Sequence, residues 1–298
     1  MHKPHGWGDY GVGLVQQTVI QLVTAFIAFA LGVLINRLRA TWAYFSARKF
    51  WRPLLRRDIT LVLGDGFTDL RGFEASDMVG RGDLVGSYVL TTRFAAMGFR
   101  RLQPVFADKM IGSDPSGAGL RKNLIVLGGR DANTLTGDIL SRLNCAYSVE
   151  WLDPPAAGDG SSRQIPELQP TSYAPAELTA YRPEMTGNSL VRDYGVIIRA
   201  RNPFISPGSK DKRIVIIYGC YGFGTLAAVL YSLEQDFLGR IRDTEEDIEC
   251  IVTCDVVRDA PQRPRHVYFD RHPAGTLGPE RVPAGSPSRN DAIAAQEK

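Results

Sequence analysis

Histidine is scarce in this chain, with only His2, His5, His266 and His272. They form no HExxH pair, and neither a Ser-His-Asp order nor a nucleophile elbow occurs, so no familiar hydrolase signature is present. No Walker lysine follows a glycine-rich turn, which excludes a P-loop NTPase. Cysteine is equally sparse. Cys145, Cys220, Cys250 and Cys254 have no cluster of further ligands beside them, so the sequence indicates free buried thiols and no metal site. A net charge of +3 over 298 residues is too small to point to duplex nucleic acid.

One absence is local. Val12 to Ile35, a run of 24 residues, contains no charge. A helix needs about 20 residues to cross about 30 Å of hydrocarbon. Trp7 and Tyr10 precede the run, and Trp42 and Tyr44 follow it, as interfacial aromatics do. Before the run the only basic residue of lysine or arginine type is Lys3. After it come Arg37, Arg39, Arg48, Lys49, Arg52, Arg56 and Arg57, ahead of the first acid, Asp58. Basic flanks stay in the cytoplasm. The sequence therefore predicts a single-pass inner-membrane protein. Residues 1–11 lie outside, 12–35 span, 36–57 form a basic juxtamembrane helix, and the rest is cytoplasmic.

A cleaved signal peptide fits the small residues of Ala28-Phe29-Ala30 but lacks the basic segment that should precede them. Gln17, Gln21, Thr24 and Ala28 share one helical face, and Gly32 extends it. Amides in hydrocarbon need partners. Two readings stay open: a homo-oligomeric bundle whose face lines a pore, or an outer half shallow enough to hydrate.

Residues 58–271 read as one α/β domain, with a Pro/Gly/Ser-rich excursion at 153–176 and a tail at 272–298. Strands are expected at Ile59–Leu63, Pro104–Phe106, Leu124–Leu127, Ala146–Trp151, Tyr194–Ala200, Arg213–Tyr218 and Glu249–Val257, with a short edge strand at His266–Phe269. Helices are expected at 84–97, capped by Asp83, at 133–143 and at 225–236. Uninterrupted apolar strands alternating with helices predict a Rossmann-like, mostly parallel sheet with helices on both faces.

Ligands in such sheets bind at the carboxyl ends of strands. Three glycine turns belong there. The first is Gly64-Asp65-Gly66, the second runs from Gly128 and Gly129 through Arg130 to Asn133, and the third from Gly219 through Tyr221, Gly222 and Gly224 to Thr225. Free N–H groups and the dipole at a following helix suit a phosphate or carboxylate. The candidate ligand residues are Gly64, Asp65, Gly128, Gly129, Arg130, Asn133, Gly219, Tyr221, Gly222, Gly224 and Thr225. A tight strand-to-helix turn with no ligand is the plainer alternative. Asp65 is the weak catalytic candidate. No cofactor is indicated.

Asn123 to Asn133 and Ile214 to Ala228 together resemble the paired-glycine, Rossmann-like repeats of prokaryotic cell-surface and sensor proteins, over about Leu124 to Leu230. The plan of a short membrane segment joined to a cytoplasmic domain is similar to membrane-anchored effectors of prokaryotic anti-phage nucleotide signalling. That resemblance implies a homo-oligomer whose domain binds a nucleotide or oligonucleotide messenger and opens a pore. An anchored nucleotide- or NAD-processing enzyme using Asp65, and a membrane scaffold without ligand, are the alternatives.

Overall fold

The computed structural model describes residues 21–35, 47, 49–51, 54, 59–64, 79–96, 102–112, 116–152, 164–187, 189–206 and 212–277. The chain divides into two units, Met1–Arg48 and Lys49–Lys298.

In the first unit residues 21–35 form helix α1, every residue of which is exposed. Among the described residues no helix is long and apolar enough to cross a membrane. This overturns the expected transmembrane span at 12–35 and the inner-membrane location with an outside N-terminus. Gln21, Thr24, Ala28 and Gly32 lie on α1, whereas Gln17 and most of the juxtamembrane segment lie outside the described residues.

The second unit begins earlier than expected. Phe50, Trp51 and Leu54, read from sequence as membrane-proximal, are fully buried in it. The Phe50 and Trp51 rings meet edge to face at 4.6 Å, and Phe50 also packs on Phe237 and Trp51 on Phe94. Buried Arg199 holds this segment down. Its guanidinium donates to the carbonyls of Phe50 (2.9 Å), Asp243 (3.1 Å) and Glu246 (2.7 Å) and stacks over the Phe50 ring. Burial lowers the Arg199 pKa to about 10, with nearby Arg213 adding to the effect.

The main sheet uses β1 (Ile59–Leu63), β2 (Leu102–Phe106), β3 (Asn123–Leu127), β6 (Glu184–Thr186), β7 (Ser189–Arg201), β8 (Arg213–Gly219), β9 (Asp247–Val257) and β10 (Ala260–His272). Its order is β2-β1-β3-β8-β7-β9-β10, with β6 beside β7. A separate antiparallel pair comprises β4 (Tyr147–Leu152) and β5 (Ile165–Pro170), the latter inside the expected excursion. The helices of this unit are α2 (Arg81–Ala96), α3 (Ala107–Gly112), α4 (Thr134–Leu140), α5 (Gly222–Tyr231) and α6 (Gln235–Gly239).

The sheet is mixed, not mostly parallel. β2, β1, β3 and β8 run parallel, while β7, β9 and β10 pair antiparallel. The physical reason lies in the connections. Parallel neighbours need a crossover of a dozen or more residues, whereas antiparallel ones need only a hairpin. β9 and β10 are joined by Arg258 and Asp259 alone, at φ 50° and 56°, the paired positive values of a tight hairpin turn.

β3 and β8 are buried on both sides, as uninterrupted apolar runs are. On one face α2 packs against α5, and a methyl group added at Gly86 would touch Val229 and Leu127. On the other face Leu135 and Ile139 of α4 and Val149 and Leu168 of the small pair close over Leu124, Val126, Ile214 and Ile216.

Candidate functional site

The chain leaves β1 and β8 into helices on one face, α2 and α5. It leaves β3, which lies between them, into α4 on the other. Such reversals open a crevice at the carboxyl ends of parallel strands. Gly64 of the first predicted glycine turn and the whole of the other two arrive there. Gly64 packs against Ala132, and the Gly128 N–H bonds the Ile217 carbonyl at 3.1 Å with φ 98°, which favours glycine. Asp65 lies outside the described residues.

Several predicted ligand residues have structural partners instead. Asn133 is fully buried and caps α4. Its Oδ1 accepts from Leu135 and Thr136 N–H at 3.1 and 3.4 Å, and its Nδ2 donates to the Leu127 carbonyl. Arg130 pairs with Glu150 at 3.0 Å, both about half exposed. At α5 the anion is built in. Asp193, fully buried on β7, accepts from the N–H of Gly224 at 2.6 Å and of Tyr221 at 3.3 Å. Burial pushes its carboxyl up to about 7, against the pull of the Tyr194, Gly224 and Tyr221 N–H groups.

Asp83 is the third residue of α2, not its cap, and is buried. Burial raises its carboxyl to about 6; the Thr225 hydroxyl pulls it down and Asp131 adds like charge. Neither aspartate has a local sequence partner that would have revealed its role. Asp193 meets the α5 turn only because β7 pairs antiparallel with β8.

What remains open is a cavity of about 750 Å³ beside these turns. The first turns of α2 and α5 meet on its wall, backbone against backbone: a Cβ on Gly82 would overlap the Gly222 carbonyl. Arg81, Gly82, Gly222 and Phe223 line it. As first-turn residues they have no intrahelical acceptor for their N–H groups. Met185, Leu190 and Leu226 make other parts of the wall apolar, and Asp259 of the β9–β10 turn adds one acid. Tyr221 and Gly222 are the predicted residues that reach this cavity, whereas Gly129, Arg130 and Gly219 line a smaller one of about 200 Å³.

No known protein family, no curated protein and no solved structure matches this chain.

Proposed function

We propose that the second unit is a sensing domain for a nucleotide-type ligand, held in the larger cavity with its phosphate at the joined N-termini of α2 and α5. The observation that carries this reading is the meeting of two helix starts on the wall of one cavity. Each helix start brings first-turn N–H groups that have no intrahelical acceptor to the same place, at α5 those of Gly222 and Phe223, because Gly224 and Tyr221 already donate to Asp193. Arg81 adds a full positive charge. A volume of about 750 Å³ suits a ligand of nucleotide size. The apolar wall suits a base, and Asp259 suits ribose hydroxyls or an exocyclic amine. Leu22, Phe26 and Phe29 of α1 are 65–72% exposed and offer the surface through which copies of the chain associate in response.

The test is thermal denaturation of the full chain with mononucleotides, cyclic dinucleotides, nucleosides and inorganic phosphate. A ligand at 100 times its Kd stabilises by about 2.7 kcal/mol. The expected result is a rise in Tm with a phosphorylated ligand that nucleosides do not reproduce. Arg81→Glu should weaken it at least tenfold, and Leu226→Trp, which fills the cavity, should abolish it. No response to any phosphorylated compound, or a response indifferent to both substitutions, overturns the reading.

A further inference from the structure

A cavity of about 690 Å³ lies where the end of α6, the loop after it and β10 meet. It shares no lining residue with the cavity at the starts of α2 and α5. A bulge shapes its wall. The register of β10 slips between His266 and Tyr268, so Val267 is an extra residue. Side chains alternate along a strand, and the slip sets His266 on the same face as Phe269 and Arg271 in spite of their odd spacing. On that face His266 stacks on Tyr231 and Phe269 packs on Phe237. Tyr268 and Asp270 take the opposite face. There Tyr268 packs on Tyr147, and the Asp270 carboxylate meets the Tyr268 hydroxyl at 3.3 Å and His272 at 3.4 Å.

The His266 imidazole is oriented by two groups behind it. The Tyr231 hydroxyl donates to Asp236 and holds that carboxyl below its ordinary pKa, so Asp236 is ionised. Burial, and then the same bond, raise the Tyr231 phenol, which keeps its proton. The Tyr231 oxygen is left to accept, and Nδ1 of His266 donates to it at 2.7 Å. Nε2 is therefore the nitrogen available to a ligand. It bonds nothing among the described residues and is not one of the sealed polar atoms of the core. Its side chain is 27% exposed and lines the cavity.

Three arginines share the wall. Arg240 is occupied, since it pairs with Asp236 at 3.2 Å and lies over the Phe269 ring. The guanidinium groups of Arg242 and Arg271 have no ion pair or hydrogen bond among the described residues. The acid in the lining, Asp270, is engaged on the other face of β10. Two full positive charges beside an oriented imidazole are thus left without a counter-charge. A guanidinium matches an oxyanion through paired N–H donors. A carboxylate or a phosphodiester brings one negative charge, whereas a phosphate monoester brings about two.

We propose that this cavity is a second binding site, for the dianionic phosphate group of a small molecule, held by Arg242 and Arg271 with Nε2 of His266 as the third contact. Inorganic phosphate and a phosphate monoester share this chemistry. Val267, a lining residue 39% exposed, offers an ester's organic part an apolar contact. The site stands independently of the nucleotide reading, because it uses a different cavity and side chains in place of helix starts.

NMR of the full chain with 15N-labelled histidine tests it, the His266 ring signal being the one that His266→Gln removes. Inorganic phosphate, phenyl phosphate, dimethyl phosphate and acetate are titrated separately at constant ionic strength and about pH 8, where a phosphate monoester carries about two charges. The expected result is saturable displacement of the His266 signal by inorganic or phenyl phosphate, at least tenfold tighter than by dimethyl phosphate or acetate. Tighter binding of phenyl phosphate assigns the site to an ester, and tighter binding of inorganic phosphate assigns it to the free ion. Arg242→Ala and Arg271→Ala should each weaken binding at least tenfold; neither side chain is buried, so the fold is retained. Arg121→Ala, which removes the same charge from an exposed position elsewhere, should not weaken it. Leu226→Trp should leave binding unchanged, which separates this site from the cavity of the nucleotide reading. No displacement by either dianion, equal displacement by dimethyl phosphate or acetate, or an Arg121→Ala effect as large as that of Arg242→Ala (diffuse attraction without a site) overturns the proposal.

Discussion

At the scale of single residues, the candidate site depends on what a side chain would displace. Gly82 and Gly222 let two helix starts touch through their backbones, and a methyl group on Gly82 has no room beside the Gly222 carbonyl. Overpacking of this kind costs about 1–3 kcal/mol or more. Gly82→Ala is therefore expected to lower the urea midpoint by that equivalent, whereas Gly112→Ala, where nothing lies within 4 Å, should not destabilise. Gly82 carried no signal in the sequence, since Arg81-Gly82-Asp83 reads as an ordinary helix start. The Gly222-x-Gly224 turn was legible because glycines cluster after an apolar strand. Its internal anion, Asp193, was not legible, because it lies 31 positions before its partner Gly224 and only strand pairing joins them.

At the scale of elements, legibility followed burial. β3 and β8 are apolar throughout and were expected almost to the residue. β10 was expected as a four-residue edge and is 13 residues long; Gln, Arg, Pro and His interrupt any apolar run along it and none of its positions is fully buried, so its sequence carries no strand pattern beyond Val267–Phe269. Strand direction was hidden too: apolar runs look alike whether the chain returns by a helix or by a two-residue turn. The segment 49–54 was misassigned because arginines around it masked three core residues. The burial of Trp51 has a measurable consequence. Trp51→Ala should cost about 3–5 kcal/mol, as removal of a large core aromatic does. Phe26→Ala, on exposed α1, should change stability by about 0.5 kcal/mol or less. Denaturant titration of the two variants checks the contrast.

At the scale of the whole molecule, buried carboxyl groups set the response to pH. Asp193 and Glu249 are raised to about 7 and Asp83 to about 6, each chiefly by burial. In the unfolded chain such groups release their protons near pH 4. Between about pH 4 and pH 7 the folded protein binds more protons than the unfolded chain, so raising pH favours unfolding. The urea midpoint should be higher at pH 5 than at pH 7.5 and should change little above about pH 8. Glu249→Gln should flatten part of that slope. A midpoint that rises with pH through this window would show that the N–H groups around Asp193 and Glu249 outweigh their burial.

The free margin of the sheet has a consequence for crowded solutions. Among the described residues β10 pairs with β9 on one side only, and its register is broken twice, between Gln262 and Arg265 and between His266 and Tyr268. Pro261 and Pro264 lack N–H donors, and Arg263 at φ 50° breaks the extended line between them. A strand arriving from another molecule would find a kinked, cationic template with missing rungs. Lateral growth into fibrils is thereby obstructed along that border, so the domain can be concentrated without seeding amyloid from β10.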